Sequence, residues 1–410
     1  MRKPPLIALT ALAVGSCAFD WDAVDPRVSA ATSGPQGPEP TSGSSSGTSG
    51  GGGASTSSST TGGGQALWFD PAWRRRSAIE VGDVTDAPHT NFVVRVHFDD
   101  ARIDLDASGD GLGLRFVADD HSTLLVHEIE TWDDTHGEAW VRIPSLTPGL
   151  QFWVYYDNPE ATGAAGVPFE DYAAVWHLSD LSDASGSSAN AASDAAVPTE
   201  GRIGLASRQL LNQSTQLEVA PVPVVTNIFA SGGTVSAWIL ATSPGGSGYG
   251  RIVDKAADLA GTDGWTLHLG ASSPSGTTFG SVFERGHTLA SAASGTELTL
   301  MGVGSWHHVA LVYDDGDPLV TTFYVDGQAV ASSPAEPLGA AMDDAMTPLT
   351  IGGTTSANGR AFDGRIDEVR LERVARPAGW IETDYRSGSD LLLSFGAEET
   401  CPPSVCPQGM

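Results

Sequence analysis

Downstream of Trp68 the apolar residues recur at every second position, in short runs broken by Gly, Pro and Asp. "NFVVRVHF" (91–98), "EAWVRIP" (138–144), "GTVSAWIL" (233–240) and "TTFYVDGQAV" (321–330) all follow this period. Strand side chains alternate between two faces, so the pattern commits these runs to strands. "WHHVALVYD" (306–314) is apolar on both faces, which places it centrally in a doubly covered sheet. Asp326-Gly327 between apolar runs is the strongest short-range hairpin signal in the chain. Helical pieces are expected only as single turns, such as "RPAGWIETDY" (376–385), where Pro377 suits a first turn. The fold class expected is all-β, two antiparallel β-sandwich (jelly-roll) domains.

The boundaries follow from composition. Residues 1–17 read as an export signal: Arg2 and Lys3 precede an apolar stretch, Leu6 to Val14, too short to span a membrane. Residues 18–66 hold no plausible core, and the Ser/Gly/Thr tract at 41–64 has the composition of a flexible, disordered linker. A first sandwich is expected over 67–160, a second over 168–398, and a tail over 399–410. In the second, "LTIGG" (349–353), "RIDEVRLERV" (365–374) and "LLLSFG" (391–396) supply late strands. Pro168 and the connector before it suggest a limited hinge.

The formal net charge is −29, and losing Arg2 and Lys3 with a signal peptide lowers it by two, to −31. Lys255 is then the sole lysine. Such a surface repels phosphate backbones, so nucleic acid is excluded as a partner. Cys401 and Cys406 are read as a small disulfide loop, because an oxidising compartment is implied and no further ligand for zinc lies nearby in sequence.

Three stretches resemble known families. "AVGSC" (13–17) resembles the bacterial lipobox, with Val14 in place of the usual leucine. The resemblance implies a lipidated Cys17 and a membrane anchor; an ordinary secretory signal is the alternative, and both export the protein. "AWRRRSAIEV" (72–81), "SGDGLGLRFVADDHSTLLVHEIETW" (108–132), "WVRIP" (140–144) and "YYDN" (155–158) together resemble the bacterial domain of unknown function 2341, although Gly113 stands where that family commonly has Asp. "AVWHLSD" (174–180), "VSAWI" (235–239), "WHHVALVYDDG" (306–316), "FYVDGQAV" (323–330) and "FDGRIDEVRLERVARPAGWIETDY" (362–385) resemble the concanavalin A-like, laminin-G-like lectin/glucanase domains.

On the period of two, Asp367 shares the apolar face of Val369 and Leu371. It is expected to brace turns by accepting backbone N–H groups, and to stay ionised by doing so. The alternative role is calcium coordination, as in some laminin-G-like relatives. Asp254, Asp258 and Asp263 on a loop at the sandwich edge, and Asp183 in an acidic turn, are further calcium candidates. "DLDASGDG" (104–111) imitates the start of a calcium loop but has Arg115 at the twelfth position, so an ordinary acidic turn is expected. Glu128, Glu130 and Asp133 in "HEIETWD" lie in the other module and in the wrong order for the acid cluster of glycan hydrolases with this sandwich. His307 and His308 are adjacent and point to opposite faces, and His308 is read as a core histidine. Tyr249, in the Gly-rich loop 244–251, is the candidate for an exposed sugar-stacking ring.

The function expected is that of an exported lipoprotein of the cell envelope, at the outer membrane or cell surface. Its laminin-G-like sandwich would bind carbohydrate or another surface ligand, with calcium as an optional helper and no catalytic residues. A secreted glycan hydrolase and a purely structural envelope protein are the alternatives.

Overall fold

The computed structural model describes residues 67–406, apart from 164–165, 194–196, 210–214, 257–263, 272–277, 288–289, 295–300, 303, 317–319, 335–343 and 356–358. Cys17, the linker, Asp258 and Asp263 lie outside the described residues.

The first sandwich is built from β1 (Arg75–Val81), β2 (His89–Phe98), β3 (Arg115–Ala118), β4 (His127–Trp132), β5 (Gly137–Leu146) and β6 (Gln151–Tyr156), with a one-turn helix α1 (Leu105–Ser108) after β2. Alternation sorts its side chains. Phe92, Val94, Val96 and Phe98 of β2 and Ala139, Val141 and Ile143 of β5 enter the sandwich core. The intervening Val93, Arg95, Glu138 and Trp140 are also buried, on the opposite face of the same sheet, against the second sandwich.

The second sandwich comprises β7 (Ala174–Trp176), β8 (Ala191–Ala192), β9 (Val197–Glu200), β10 (Leu205–Gln209), β11 (Leu217–Val219), β12 (Gly233–Ala241), β13 (Arg251–Ala256) and β14 (Gly264–Ala271). It continues through β15 (Thr278–His287), β16 (Ala290–Ser294), β17 (Met301–Gly302), β18 (Trp306–Asp314), β19 (Val320–Val325), β20 (Gln328–Pro334), β21 (Leu349–Ile351) and β22 (Gly364–Glu372). One sheet has the order β20-β19-β18-β12-β22-β10-β9, with β7 also on β22; the other runs β16-β15-β14-β13-β21-β11-β8, with β17 on β15. Val235, Ile239, Leu311 and Leu371 meet Val253, Leu267 and Ile351 between them. Each such side chain, fully buried, contributes about 1.5–3 kcal/mol. β18 is central and doubly covered as expected: Val309 and Leu311 join this core, whereas Ala310 and Val312 join the buried cluster of the first sandwich. Asp326 and Gly327 both take positive φ, 49° and 78°, and join β19 to β20.

Three expectations are corrected. The segment expected as one helical turn is a helix of about three turns, α2 (Ala378–Gly388), whose Trp380, Ile381, Thr383, Asp384 and Ser387 are buried. Its buried face carries as many polar as apolar residues, which hides the helical period. "LLLSFG" is not a strand of the second sandwich: β23 (Leu393–Phe395) and β24 (Glu399–Thr400) pair with β1, so the chain's last described residues complete the first sandwich. The expected boundary at 398/399 therefore does not separate a tail from a domain. Asp367, finally, does not face with Val369 and Leu371. Ser236 pairs with Arg370 but Trp238 with Asp367, so one residue of β12 opposes two of β22. This bulge, with Glu368 at φ 51°, turns Asp367 away from the core that receives Ile366, Val369 and Leu371.

Candidate functional site

Where the two sandwiches meet, acids from both converge on one imidazole. His177 directly follows β7. Its Nδ1 lies 2.6 Å from Glu368 Oε1 and 3.8 Å from Glu130 Oε2, and its Nε2 2.8 Å from Glu128 Oε1. Irregularities in two strands create the arrangement. The β22 bulge presents Glu368, and a register shift between Ile129 and Thr131 in β4 leaves Glu130 without a partner on β5. The imidazole stacks on Trp140, with centroids 5.5 Å apart at 13°, and meets Phe169 edge-on. Glu130 accepts hydrogen bonds from Trp140 Nε1 (2.8 Å) and Ser179 Oγ (2.7 Å). Arg370 donates to Glu368 (2.9 Å) and to Asp384 (2.7 Å), and Asp384 also lies 3.3 Å from His308 Nε2.

Burial alone would strip the proton from His177, but Glu368, Glu130 and Glu128 outweigh it and hold the imidazolium well above its ordinary range. Burial pushes Glu130 up to about 7; His177 opposes this and Glu368 adds to it. Glu368 is held low against its burial by His177 and Arg370. Burial, then Glu368 and Glu130, drive Asp367 well above the carboxylate range. This direction runs against the expectation that its hydrogen bonds hold it ionised. Its bracing geometry is present: Oδ2 accepts from Arg202 N (2.7 Å) and Ile203 N (2.9 Å).

Chemically, this cluster can hold a proton or a cation and can tie the sandwiches together. Hydrolysis of a glycan would need both carboxyl groups to reach a sugar. The side chains of Glu130 and Glu368 are 3% and 1% exposed.

The remaining candidates are dispersed. Asp183 is buried and fully committed: Oδ1 accepts from Val175 N and Ser185 N, and Oδ2 from Ser185 Oγ and Ala189 N. Asp254 lies within β13 rather than on an edge loop, buried and 3.5 Å from Arg251, because the strand runs on to Ala256. Lys255 is buried, and Nζ donates to the carbonyls of Asp344 and Thr347. Asp104 caps α1 and pairs with Arg75 at 2.7 Å, an ordinary acidic turn. Tyr249 is 43% exposed, with His268 edge-on at 5.6 Å and the Arg360 guanidinium 5.1 Å from the ring centre. Cys401 and Cys406 are joined by a disulfide. Among the described residues no helix is long and apolar enough to cross a membrane.

Sequence reasoning misses His177. The available signal is Glu128 and Glu130, two acids on a strand whose partner β5 alternates Glu138, Trp140 and Arg142 toward the same side. Nothing local links that strand to a histidine some fifty positions on.

Residues 212–382 match the family described as the concanavalin A-like lectin/glucanases superfamily. The second sandwich is concanavalin A-like. Residues 110–189, ahead of most of it, match a domain of unknown function, DUF2341. That match runs past the first sandwich to include β7 and His177, so it spans both sides of the cluster. No curated protein matches the chain. Among solved structures, the binding domain of Paraclostridial Mosquitocidal Protein 1 is 15% identical with a TM-score of 0.43, covering 53% of each chain. The binding domain of Botulinum Neurotoxin DC in complex with SialylT is 13% identical with a TM-score of 0.41, covering 54% of this chain and 52% of that one. Domain 4 of AbnA, a GH43 extracellular arabinanase from Geobacillus stearothermophilus, in complex with arabinotriose, is 19% identical with a TM-score of 0.38, covering 52% of this chain and 98% of that one. The chain thus spans about half the length of the two toxin binding domains. At such scores these likenesses carry no argument about ligand.

Proposed function

We propose that this is an exported binding protein of the cell envelope, anchored by lipid at Cys17, whose concanavalin A-like sandwich binds carbohydrate or another surface ligand. The match of residues 212–382 to a lectin/glucanase superfamily carries this reading. The way the molecule is packed narrows where binding falls. The β18–β12–β22 side of the second sandwich is covered by α2 and the first sandwich, through His308, Trp238, Arg370 and Trp140. Ligand contact then falls to the other sheet and its loops, where Tyr249 offers an aromatic ring to solvent. The convergent acids are buried in the junction, which favours binding over turnover.

The test is a glycan array probed with the full chain, with calcium and with chelator, alongside Tyr249→Ala. The expected result is a glycan signal that weakens in the variant; dependence on calcium would be read from the chelator arm. No glycan signal in either condition overturns the carbohydrate reading. The anchor is tested separately, by lipid labelling that Cys17→Ser should abolish.

A further inference from the structure

We propose that Glu130, His177 and Glu368 form a site for one divalent transition-metal ion of zinc-like chemistry, held between the two sandwiches. One ligand atom from each residue lies within 4.8 Å of the other two. Glu130 belongs to the first sandwich, His177 and Glu368 to the second, so a bound ion joins parts of the chain that are distant in sequence. An imidazole with two carboxylates is a ligand set that suits zinc. Calcium and magnesium prefer six or more oxygens.

What separates this cluster from a chance gathering of acids is that a chain donor or acceptor orients every ligand. Glu128, 2.8 Å from Nε2, takes that N–H and leaves Nδ1 facing Glu130 and Glu368, the carboxylate–histidine relation of metal centres. Ser179 and Trp140 hold both oxygens of Glu130, and Arg370 holds Glu368 Oε2, leaving Oε1 toward the imidazole. Trp140 and Phe169 wall the ring. Asp367, next to Glu368, keeps Oδ1 buried without a partner.

The fit requires small movements. Metal–ligand bonds of about 2.0–2.2 Å at tetrahedral angles set ligand atoms about 3.4 Å apart. Nδ1 and Glu368, at 2.6 Å, must open by less than about 1 Å, and Glu130, at 3.8 Å, must close slightly. The ion replaces the Nδ1 proton, which is released to solvent.

The test uses the full chain stripped with chelator and titrated with zinc, read by calorimetry and by thermal melting. One zinc per chain is expected, with a rise in Tm that chelator reverses. Glu128→Gln, which leaves all three ligands in place, should weaken zinc affinity 10–100-fold. Glu130→Gln should weaken it at least as much, and His177→Gln should abolish both the site and the visible absorption of a cobalt-substituted sample. Should His177→Gln fail to fold, the two glutamate variants carry the test. Absence of zinc binding, or equal affinity in wild type, Glu128→Gln and Glu130→Gln, overturns the proposal and leaves the cluster a clasp closed by a proton. Neither result bears on glycan binding.

Discussion

Arg95 and Glu138 face each other across β2 and β5 in a two-pronged ion pair, with Nε–Oε2 at 2.8 Å and Nη2–Oε1 at 2.6 Å. The third prong of the guanidinium, Nη1, donates to the carbonyl of Gly388 at the end of α2, 2.8 Å away. Ser387 Oγ accepts from Arg95 N at 2.8 Å. One arginine therefore serves both a sheet of the first sandwich and the helix that closes the second. Both side chains of the pair are buried, so removing one strands the other's charge. Glu138→Ala is expected to cost about 3–5 kcal/mol, whereas a double replacement by apolar residues of similar volume should cost much less. Chemical denaturation of wild type and the two variants checks this, and equal losses in both variants would refute the pairing.

Trp380 anchors α2 on the first sandwich. Its ring meets Phe92 edge-on at 4.7 Å and His89 at 5.3 Å, and the Arg376 guanidinium lies 3.6 Å over it. Trp380→Ala should destabilise the protein by about 3–5 kcal/mol through the cavity left behind. Hydrogen exchange should accelerate in α2 and in β2 together; acceleration confined to α2 would show that the helix is not docked as described.

His268 sets a pH dependence. Burial, with Arg251 and Arg360 nearby, pushes its imidazole down to about 3. The unfolded chain protonates the same group near its ordinary value of about 6.5. Between those values the unfolded state binds the extra proton, so this residue's contribution is complete above about 6.5 and is lost as pH falls toward 3. His268→Gln should flatten that part of the stability curve. Melting curves from pH 7 to 4 decide it, and parallel curves for the two proteins would rule the effect out.

The Cys401–Cys406 disulfide closes a short loop just past β24. Constraining so short a loop in the unfolded chain is worth about 2 kcal/mol. A Cys401→Ser, Cys406→Ser variant should lose about that much at most. Because Cys401 N donates to Arg74 O and β24 pairs with the start of β1, exchange should rise first at Arg75 and Arg76. A loss far above the expected amount would mean that the bridge supports more than this edge.

Most strands are legible in the residue pattern, because alternation depends only on which side chains avoid water. The Asp326-Gly327 hairpin and the doubly covered β18 follow from the same rule, one from turn chemistry and one from apolar residues on both faces. The full length of α2 is hidden because Thr383, Asp384 and Ser387 share its buried face with Trp380, so hydropathy shows no stripe. The period of two puts Asp367 on the wrong face because it holds only while the strand is regular, and one extra residue at Glu368 inverts everything beyond it.

The sequence by itself determined the all-β class, the Asp326-Gly327 hairpin and the central place of β18, since each depends on local periodicity and turn residues. Only the tertiary structure decided that β23 and β24 return to β1, and that Glu128, Glu130, His177 and Glu368 share one site. Both results join residues far apart in the chain, one across a sheet edge and one across two bulged strands facing each other. Local pattern encodes which way a side chain points from its own strand, and packing alone selects what it meets.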